Sequence, residues 1–222
     1  MNVLEQRVLE LIGEDIGSPD VFTDDSTGMA QIRDSLNDAI QDVCMITGSH
    51  RRKFFIPIQS GKNFYQITSD RDYFAWPVSV WITGLQWRLR QVDLPYLLHL
   101  NYRWMYDTGN PERYFLIGSD KLAIHPRPAG SNYTLEVDAV AIPEAYTLDT
   151  DRVKVRDEYQ WAVVNYAVSE YWASVGDANS AKDYFLRYLE RLGVMDLYPD
   201  GYERQYQLRT QKNGLVSTQN EN

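Results

Sequence analysis

The sequence predicts an α+β fold in which a helical layer packs against antiparallel β-hairpins. Apolar residues recur every three or four positions near both ends of the chain, in residues 2–48 and 157–193. Between these segments, in residues 53–155, apolar and polar residues tend to alternate. We therefore expect one domain over residues 1–193, made of N-terminal helices, a β-rich insertion and a C-terminal antiparallel helical hairpin. An extended C-terminal arm follows at residues 194–222.

The N-terminal segment is expected to form a short helix and then a long one. The first covers residues 2–14 and ends near Gly13, because glycine readily adopts the left-handed conformation of a helix C-cap. Its apolar face contains Leu4, Val8 and Leu11 or Ile12. The second covers Met29–Thr47. Its apolar stripe contains Met29, Ile32, Leu36, Ile40 and Val43, and its opposite face contains Asp34, Asn37 and Gln41.

A β-hairpin is expected after the long helix. Phe54–Ile58 and Phe64–Thr68 alternate and flank the polar turn Ser60–Asn63, which is the pattern of two paired strands. Pro57 has no backbone donor, so its strand is expected at a sheet edge or at a bulge.

A second hairpin and a short helix are expected next. Val78–Thr83 and Leu85–Arg90 read as strands joined at Gly84. The buried face of the second strand contains Leu85, Trp87 and Leu89. The helix begins after Asp93, because proline at position 95 is tolerated in a first turn, and it extends to about Met105. Its buried face contains Leu94, Leu97, Leu98 and Tyr102.

The following segment is expected to form a β-meander. Tyr114–Ile117, Lys121–Pro126 and Tyr133–Val140 are apolar stretches separated by turns that contain glycine and proline. In the last strand Tyr133, Leu135, Val137 and Ala139 face one side, and Thr134, Glu136 and Asp138 face the other.

Residues 157–192 are expected to form two helices back to back. Gly176 separates them, Asp177 or Asn179 caps the second helix, and Gly193 ends it. A turn this short favours an antiparallel pair. The stripe of the first helix is Trp161, Val164, Val168, Tyr171 and Val175, and that of the second is Ala181, Phe185, Tyr188, Leu189 and Leu192.

Composition argues against several classes of protein. With 22 basic and 31 acidic residues the net charge is −9, which disfavours a protein that grips nucleic acid through its phosphates. The one basic cluster, His50–Lys53, follows a helix and is interpreted as the partner of its C-terminal dipole. No apolar run approaches the ~20 residues of a membrane span, and the first residues do not form a signal peptide. A single cysteine, Cys44, excludes an internal disulfide and suggests a reducing compartment or indifference to redox conditions.

No motif for catalysis, cofactor binding or metal binding stands out. A Gly-rich phosphate loop and a G-x-S-x-G elbow are both missing from the sequence. Asp24 and Asp25 are interpreted as helix-capping residues, and Cys44 as a packed thiol. His50, His99 and His125 are far apart, and Trp76, Trp81, Trp87 and Trp104 are interpreted as core residues although they can stack on sugars. We therefore assign no catalytic, cofactor-binding or metal-binding residue.

The last part of the chain, residues 196–222, is polar and rich in glutamine and asparagine. Two interpretations are open, namely a disordered tail or an arm that a partner surface holds in place. Gln205–Thr210 alternates, which suits the addition of a strand to the sheet edge of another chain. The candidate partner-binding residues are Tyr198, Tyr202, Tyr206, Leu208 and Arg209.

One motif follows the order G-N-P-x-x-Y, then L-x-I-x-P-x-P, then a long strand before the final helices. Its residues are Gly109, Asn110, Pro111 and Tyr114, then Leu122, Ile124, Pro126 and Pro128, and then Tyr133–Val140. In this order of elements, residues 2–193 resemble the head-to-tail adaptor (connector) proteins of tailed bacteriophages.

The resemblance implies a structural virion protein rather than an enzyme. Such adaptors form a ring of identical subunits, usually dodecameric, between the portal protein and the downstream tail protein. The ring extends the DNA channel, through which DNA passes without specific binding, and it provides a platform for tail attachment. The resemblance places the chain at the head–tail junction of the virion, after synthesis in the host cytoplasm, with a C-terminal arm that reaches the portal or a neighbour. From the residues themselves we expect no cofactor and no membrane association.

Two other functions are compatible with the residues. A carbohydrate-active or other enzyme would use the tryptophans and carboxylates in an aromatic-lined cleft. A cellular adaptor would bind peptides along the helical hairpin.

Overall fold

The computed structural model describes residues 2–13, 25–67, 72–84, 87–147, 151 and 153–194. The chain divides into two compact units, and each has its own hydrophobic core. The helical unit comes from the described residues up to Thr47 and from Ala145 onward, and the sheet unit is Gly48–Glu144. The fold is therefore α+β, as predicted. The division into a domain of residues 1–193 and an arm of residues 194–222 stays a prediction, as does the packing of the helical layer against the hairpins.

Apart from the short helix after Asp93, the helices lie close to their predicted positions. In chain order they are α1 (Val3–Ile12), α2 (Asp25–Thr47), α3 (Leu94–Leu100), α4 (Gln160–Val175) and α5 (Ala178–Leu192), and all but α3 belong to the helical unit. Asn2 caps α1 through its side chain, which accepts from the amide of Leu4. Gly13, Gly176 and Gly193 have positive φ at the ends of α1, α4 and α5, as expected for left-handed C-caps.

The core of the helical unit contains most of the predicted stripes. Its buried members include Leu4, Val8 and Ile12 of α1, Ile32, Leu36, Ile40 and Val43 of α2, Val164 and Val168 of α4, and Tyr188 and Leu189 of α5. Cys44 is buried in the same core, as predicted. Each fully buried aliphatic side chain contributes roughly 1.5–3 kcal/mol relative to an exposed one.

Two predictions about these helices are wrong. In α4, Trp161 and Val175 are exposed, whereas Ala162, Val163 and Ala167 are buried. The reason is that α4 packs against α1, α2 and α5 together, so more than one narrow stripe of the helix is covered. In α2, Asn37 is buried instead of facing solvent. Its carboxamide bonds to the backbone of Tyr146, which removes the cost of burying it.

Ten strands form three sheets in the described part of the sheet unit. They are β1 (Arg51–Pro57), β2 (Phe64–Gln66), β3 (Asp72–Thr83), β4 (Trp87–Arg88), β5 (Arg90–Gln91), β6 (Thr108–Gly109), β7 (Arg113–Ile117), β8 (Lys121–His125), β9 (Arg127–Pro128) and β10 (Thr134–Pro143). The first sheet has the order β1-β10-β3-β4 and the second β2-β8-β7-β5, while β6 and β9 form a two-stranded parallel pair.

Two of the predicted strand pairings are wrong. β1 pairs with β10 and β2 pairs with β8, so the predicted hairpin between Phe54–Ile58 and Phe64–Thr68 does not form. The predicted meander does not form either, because β8 and β10 lie in different sheets. Turn residues indicate where the chain reverses, but they do not fix which distant strand satisfies the backbone donors and acceptors.

Other features of the strands agree with the sequence. β3 pairs with β4 across Gly84, and β7 pairs with β8. β1 is an edge strand, as Pro57 requires. In β10, Leu135, Val137 and Ala139 are buried in turn, until register shifts at Asp138/Ala139 and Val140/Ala141 interrupt the alternation.

Candidate interaction surface

The largest difference from the predicted structure lies in residues 94–106. This segment contains α3 and a following 3₁₀ turn, Trp104–Tyr106. The helix ends at Leu100 rather than near Met105, because Asn101 adopts an extended backbone conformation. Its side-chain oxygen accepts from the amide of Arg103 at 2.8 Å, which stabilises the bend. Of the predicted buried face only Leu97 is buried, while Leu94, Leu98 and Tyr102 are exposed.

Two side chains anchor this segment to the sheet unit. Leu97 and Trp104 are buried and form a separate small core with Phe115 and Ala123. The rings of Trp104 and Phe115 meet edge to face, with centroids 5.2 Å apart. Such aromatic pairs add ~0.5–1.5 kcal/mol beyond the area that they bury. The anchors therefore fix the backbone, and the other side chains of the segment point away from this core.

A polar network holds the C-terminal end of the segment. The carboxylate oxygen Oδ2 of Asp107 accepts from Nδ2 of Asn101 at 2.7 Å and lies 3.1 Å from Nε2 of His125. An ionised carboxylate is only an acceptor, so Nε2 of His125 is the donor. The backbone amide of Arg127 also donates to the carbonyl oxygen of Asp107, at 2.9 Å. These bonds tie the bend at Asn101 to the end of β8.

Seven large apolar side chains of this segment are exposed, and we call them the α3 surface. They are Leu94, Tyr96, Leu98, Leu100, Tyr102, Met105 and Tyr106. Tyr102 and Tyr106 are 75% and 71% exposed. Since a fully accessible aromatic side chain offers ~150–250 Å², the accessible area of the set is on the order of 700 Å². At about 100° per residue, Leu94 and Leu98 lie on one flank of α3 and Tyr96 and Leu100 on the other, on either side of buried Leu97. Exposed apolar surface often marks a protein–protein contact, so this segment is the candidate interaction surface.

Charge is divided unevenly between the two units. Residues 48–144 contain 11 basic and 9 acidic residues, a net charge of +2. Residues 1–47 and 145–222 contain 11 basic and 22 acidic residues, a net charge of −11, and the two values give the −9 of the whole chain. Residues 94–106 include no carboxylate, and both His99 and Arg103 among them are exposed. The α3 surface is thus apolar and slightly basic in an acidic protein.

The tryptophans predicted as core residues divide into two groups. Trp104 is buried and Trp76 is partly buried, but Trp81 and Trp87 are 38% and 48% exposed. Trp81 lies in one cross-strand row of the first sheet with Phe55, Glu136 and Arg88. Side chains in such a row share one face of the sheet. Leu89 is buried as predicted, but Trp87 is not, because the strand breaks at Leu89 and continues as β5 in the other sheet.

The basic cluster His50–Lys53 does not serve a helix end, and that prediction is wrong. Arg51, Arg52 and Lys53 lie in β1. Arg52 bonds to the buried carboxylate of Asp72 at 2.5 Å, and Nε2 of His50 lies 3.3 Å from the same carboxylate. Lys53 pairs with Glu136 at 2.6 Å, which raises the lysine's pKa through the hydrogen bond and the opposite charge.

Other residues named from the sequence have no visible chemical role. Within the described ranges no group of three or more histidine, cysteine, aspartate or glutamate side chains is placed to hold a metal ion. Among the helices of the described residues, none has both the length and the apolar character needed to cross a membrane. Asp24, the side chain of Asp25 and the arm residues Tyr198, Tyr202, Tyr206, Leu208 and Arg209 lie outside the described residues, so their roles stay predictions.

Sequence reasoning missed the α3 surface, although a signal was present. If the segment LPYLLHLNYRWMY were one helix, apolar or aromatic residues would lie on every side of it. The helix that forms has only seven residues, and one buried face cannot cover all of these side chains. The prediction assigned one buried face to this helix and did not consider that the remaining apolar side chains could be exposed.

The motif that resembles the adaptor proteins is brought together in the structure. Gly109 and Pro128 are paired through β6 and β9, and Tyr114 pairs with Ile124 through β7 and β8. A Cβ atom at Gly109 would lie 3.7 Å from the ring of Pro126, which is ordinary van der Waals contact, so the two motif residues are neighbours. A family model described as SU10 adaptor protein matches residues 3–212. No curated protein matches the chain.

Proposed function

Because the chain belongs to the SU10 adaptor protein family, we propose that it is a structural subunit of a ring between the portal and the tail of a bacteriophage. The family match confirms the resemblance to head-to-tail adaptors. In this function the ring extends the DNA channel and provides the platform to which the tail attaches. The protein is made in the host cytoplasm and resides in the virion at the head–tail junction.

The proposed partners are the portal protein, a downstream tail protein and identical copies of the chain in a dodecameric ring. DNA passes through the channel without specific binding. The net charge of −9 supports this, because an acidic wall repels the phosphates of DNA and leaves it mobile. A channel lined mainly by basic side chains in the assembled ring would contradict this part.

The observation that best supports a structural function is the α3 surface. It exposes seven large apolar side chains within thirteen residues, and tyrosine and methionine, which make up four of them, are enriched in protein–protein interfaces. A subunit that works only in an assembly needs such surfaces, whereas an enzyme that works as a monomer does not.

The C-terminal arm, residues 194–222, is proposed to contact the portal or a neighbouring subunit. Tyr198, Tyr202, Tyr206, Leu208 and Arg209 are its proposed contact residues, because tyrosine and arginine contribute strongly to interfaces. A tethered second contact raises the effective concentration of the first and so strengthens the whole assembly.

The test is to mix the purified full chain with its cognate portal and to image the complex by electron microscopy. We expect a ring of copies beneath the portal. Because a portal can template the assembly of monomers, a monomer in isolation does not contradict the proposal. Failure to bind the cognate portal, with both proteins folded, would contradict it.

A further inference from the structure

We propose that the α3 surface of one copy binds the acidic helical unit of a second copy, so that copies join head to tail. This inference rests on the proposed function, since it names the contact between ring subunits. It follows from the size, the charge and the rigidity of the α3 surface.

The size of the α3 surface fits a contact between subunits. A stable protein–protein interface buries ~800 Å² on each partner. The seven apolar side chains together expose about 700 Å² on two flanks of α3 and in the turn after it, so a partner that packs around this segment would cover most of that area. The helical unit also exposes large apolar side chains on three of its helices, and those next to its carboxylates would add apolar area to the contact. The exposed side chains are Val3, Met45, Ile46, Trp161 and Val175.

Charge identifies the helical unit of another copy as the complementary surface. The sheet unit has a net charge of +2. The described residues of the helical unit, apart from Asp25, include 7 basic and 12 acidic side chains, a net charge of −5. Exposed carboxylates of the helical unit include Glu10, Asp34, Asp38, Asp183 and Glu190. Asp34 and Asp38 are four residues apart and therefore share one face of α2. Opposite charges steer the two surfaces together and select their relative orientation.

A symmetric contact between two α3 surfaces is disfavoured by the same charges. It would pair two segments that each contain Arg103 and no carboxylate, and it would leave both acidic helical units uncovered. A head-to-tail contact pairs opposite charges and leaves one free surface of each kind on every open oligomer. Such contacts close into rings when the rotation between copies allows it.

Rigidity favours tight binding by this surface. Leu97 and Trp104 fix the segment from inside, and Asp107 holds Asn101 at its end. A surface that is already ordered loses little conformational entropy when it binds. Tyr102 is further oriented by Arg103, whose guanidinium carbon lies 5.3 Å from the centre of its ring.

The first experiment removes the apolar part of the contact in the full chain. Tyr102→Ala with Tyr106→Ala is compared with a matched control, Phe55→Ala with Tyr73→Ala, two exposed aromatics of the same unit. Self-association is measured by analytical ultracentrifugation, with and without the portal. We expect the first variant to weaken association by roughly 100-fold or more, as interface hot spots do, and the control to leave it unchanged.

The second experiment tests the charges. Arg103→Glu should weaken association about 10-fold, more strongly at low salt, whereas Lys121→Glu, at an exposed lysine of β8, should not. Adding Asp34→Lys and Asp38→Lys to Arg103→Glu should restore part of the association. Circular dichroism verifies that every variant remains folded.

The third experiment locates the contact by cross-linking. Leu100→Cys and Asp38→Cys are placed on separate copies and treated with a short bismaleimide, while Cys44 stays buried. We expect cross-links between the two kinds of copy. Cross-links only between two Leu100→Cys copies, or only to portal or tail protein, would overturn the proposal, as would unchanged association of the tyrosine variant.

The two proposals fail in different ways. If the wild-type chain does not bind the portal, the proposed function fails, and the cross-linking still reports on contact between copies. If the tyrosine variant still loads onto the portal as singly bound copies but the copies do not associate, the proposed function stands and the α3 contact is supported. If it loads as a complete ring, the α3 contact is wrong.

Discussion

The side chain of Asn37 binds both backbone polar groups of Tyr146. Nδ2 of Asn37 donates to the carbonyl oxygen of Tyr146 at 3.1 Å, and Oδ1 accepts from its amide at 3.0 Å. The two residues are 109 positions apart, and both are buried. The pair thus fixes the chain at the point where it re-enters the helical unit.

Asn37→Ala should destabilise the helical unit strongly. Both backbone groups of Tyr146 would be left buried without a partner, and each such group costs ~1–3 kcal/mol. We expect a loss of about 2–4 kcal/mol in the free energy of unfolding, measured by urea denaturation. Asp38→Ala, one residue away on the exposed side of α2, is the control and should change it by less than ~0.5 kcal/mol. Equal effects of the two variants would mean that the pair does not hold the segment.

Removing Arg33 from its ion pair with Glu5 should destabilise the protein more than removing the charge of Glu5. Glu5 is fully buried, Arg33 is 23% exposed, and Nε of Arg33 lies 2.8 Å from Oε1 of Glu5. Arg33→Met would leave a buried carboxylate without its cation, which costs ~3–5 kcal/mol. Glu5→Gln should cost less, because Arg33 also donates to the carbonyl of Thr147 and retains some solvent. Urea denaturation of both variants and of the double variant checks the order, and a larger loss for Glu5→Gln would contradict this account.

Substitutions of two neighbouring leucines of α3 should have different effects, one on the stability of the fold and the other on self-association. Leu97 is fully buried and Leu98 is 46% exposed. Leu97→Ala should reduce the free energy of unfolding by ~2–5 kcal/mol, as a cavity in a packed core does. Leu98→Ala should leave stability within ~0.5 kcal/mol but weaken self-association on the portal. The measurements are urea denaturation and ultracentrifugation, and a stability loss at Leu98 as large as that at Leu97 would refute the description of α3.

Asp177 should make the start of α5 sensitive to acid. Its carboxylate accepts from the side chain and the backbone of Ser180 and from the backbone of Asn179, which lowers its pKa below the ordinary value of 3.8. A group whose pKa is lower in the folded state stabilises the protein above its unfolded pKa, and the effect disappears as the pH falls through the folded pKa.

Asp177→Ala should therefore lower Tm slightly at pH 7, and the difference from the wild type should shrink as the pH falls below about 4. Asp177→Asn keeps an N-cap acceptor without a titrating group, so its Tm should depend less on pH in this range. Thermal unfolding followed by circular dichroism between pH 7 and pH 3 checks both. A constant difference between Asp177→Ala and the wild type at all pH values would show that the carboxylate is not responsible.

The sequence by itself determined the features that depend on neighbours along the chain. Apolar spacing placed α1, α2, α4 and α5, and glycine at positions 13, 176 and 193 ended three of them. These are local effects, because a helix closes its hydrogen bonds within four residues. The motif around Gly109 and Tyr114 also identified the family from sequence alone.

Only the tertiary structure decided which strands pair and which apolar residues stay exposed. β1 pairs with β10 and β2 pairs with β8. The backbone donors and acceptors of a strand do not by themselves specify its partner. The burial of Asn37 and the exposure of Leu98 likewise depend on residues distant in the chain, namely Tyr146 in one case and the Leu97–Trp104–Phe115 core in the other. Periodicity shows that a helix has faces, but the surrounding fold decides how many of them are covered.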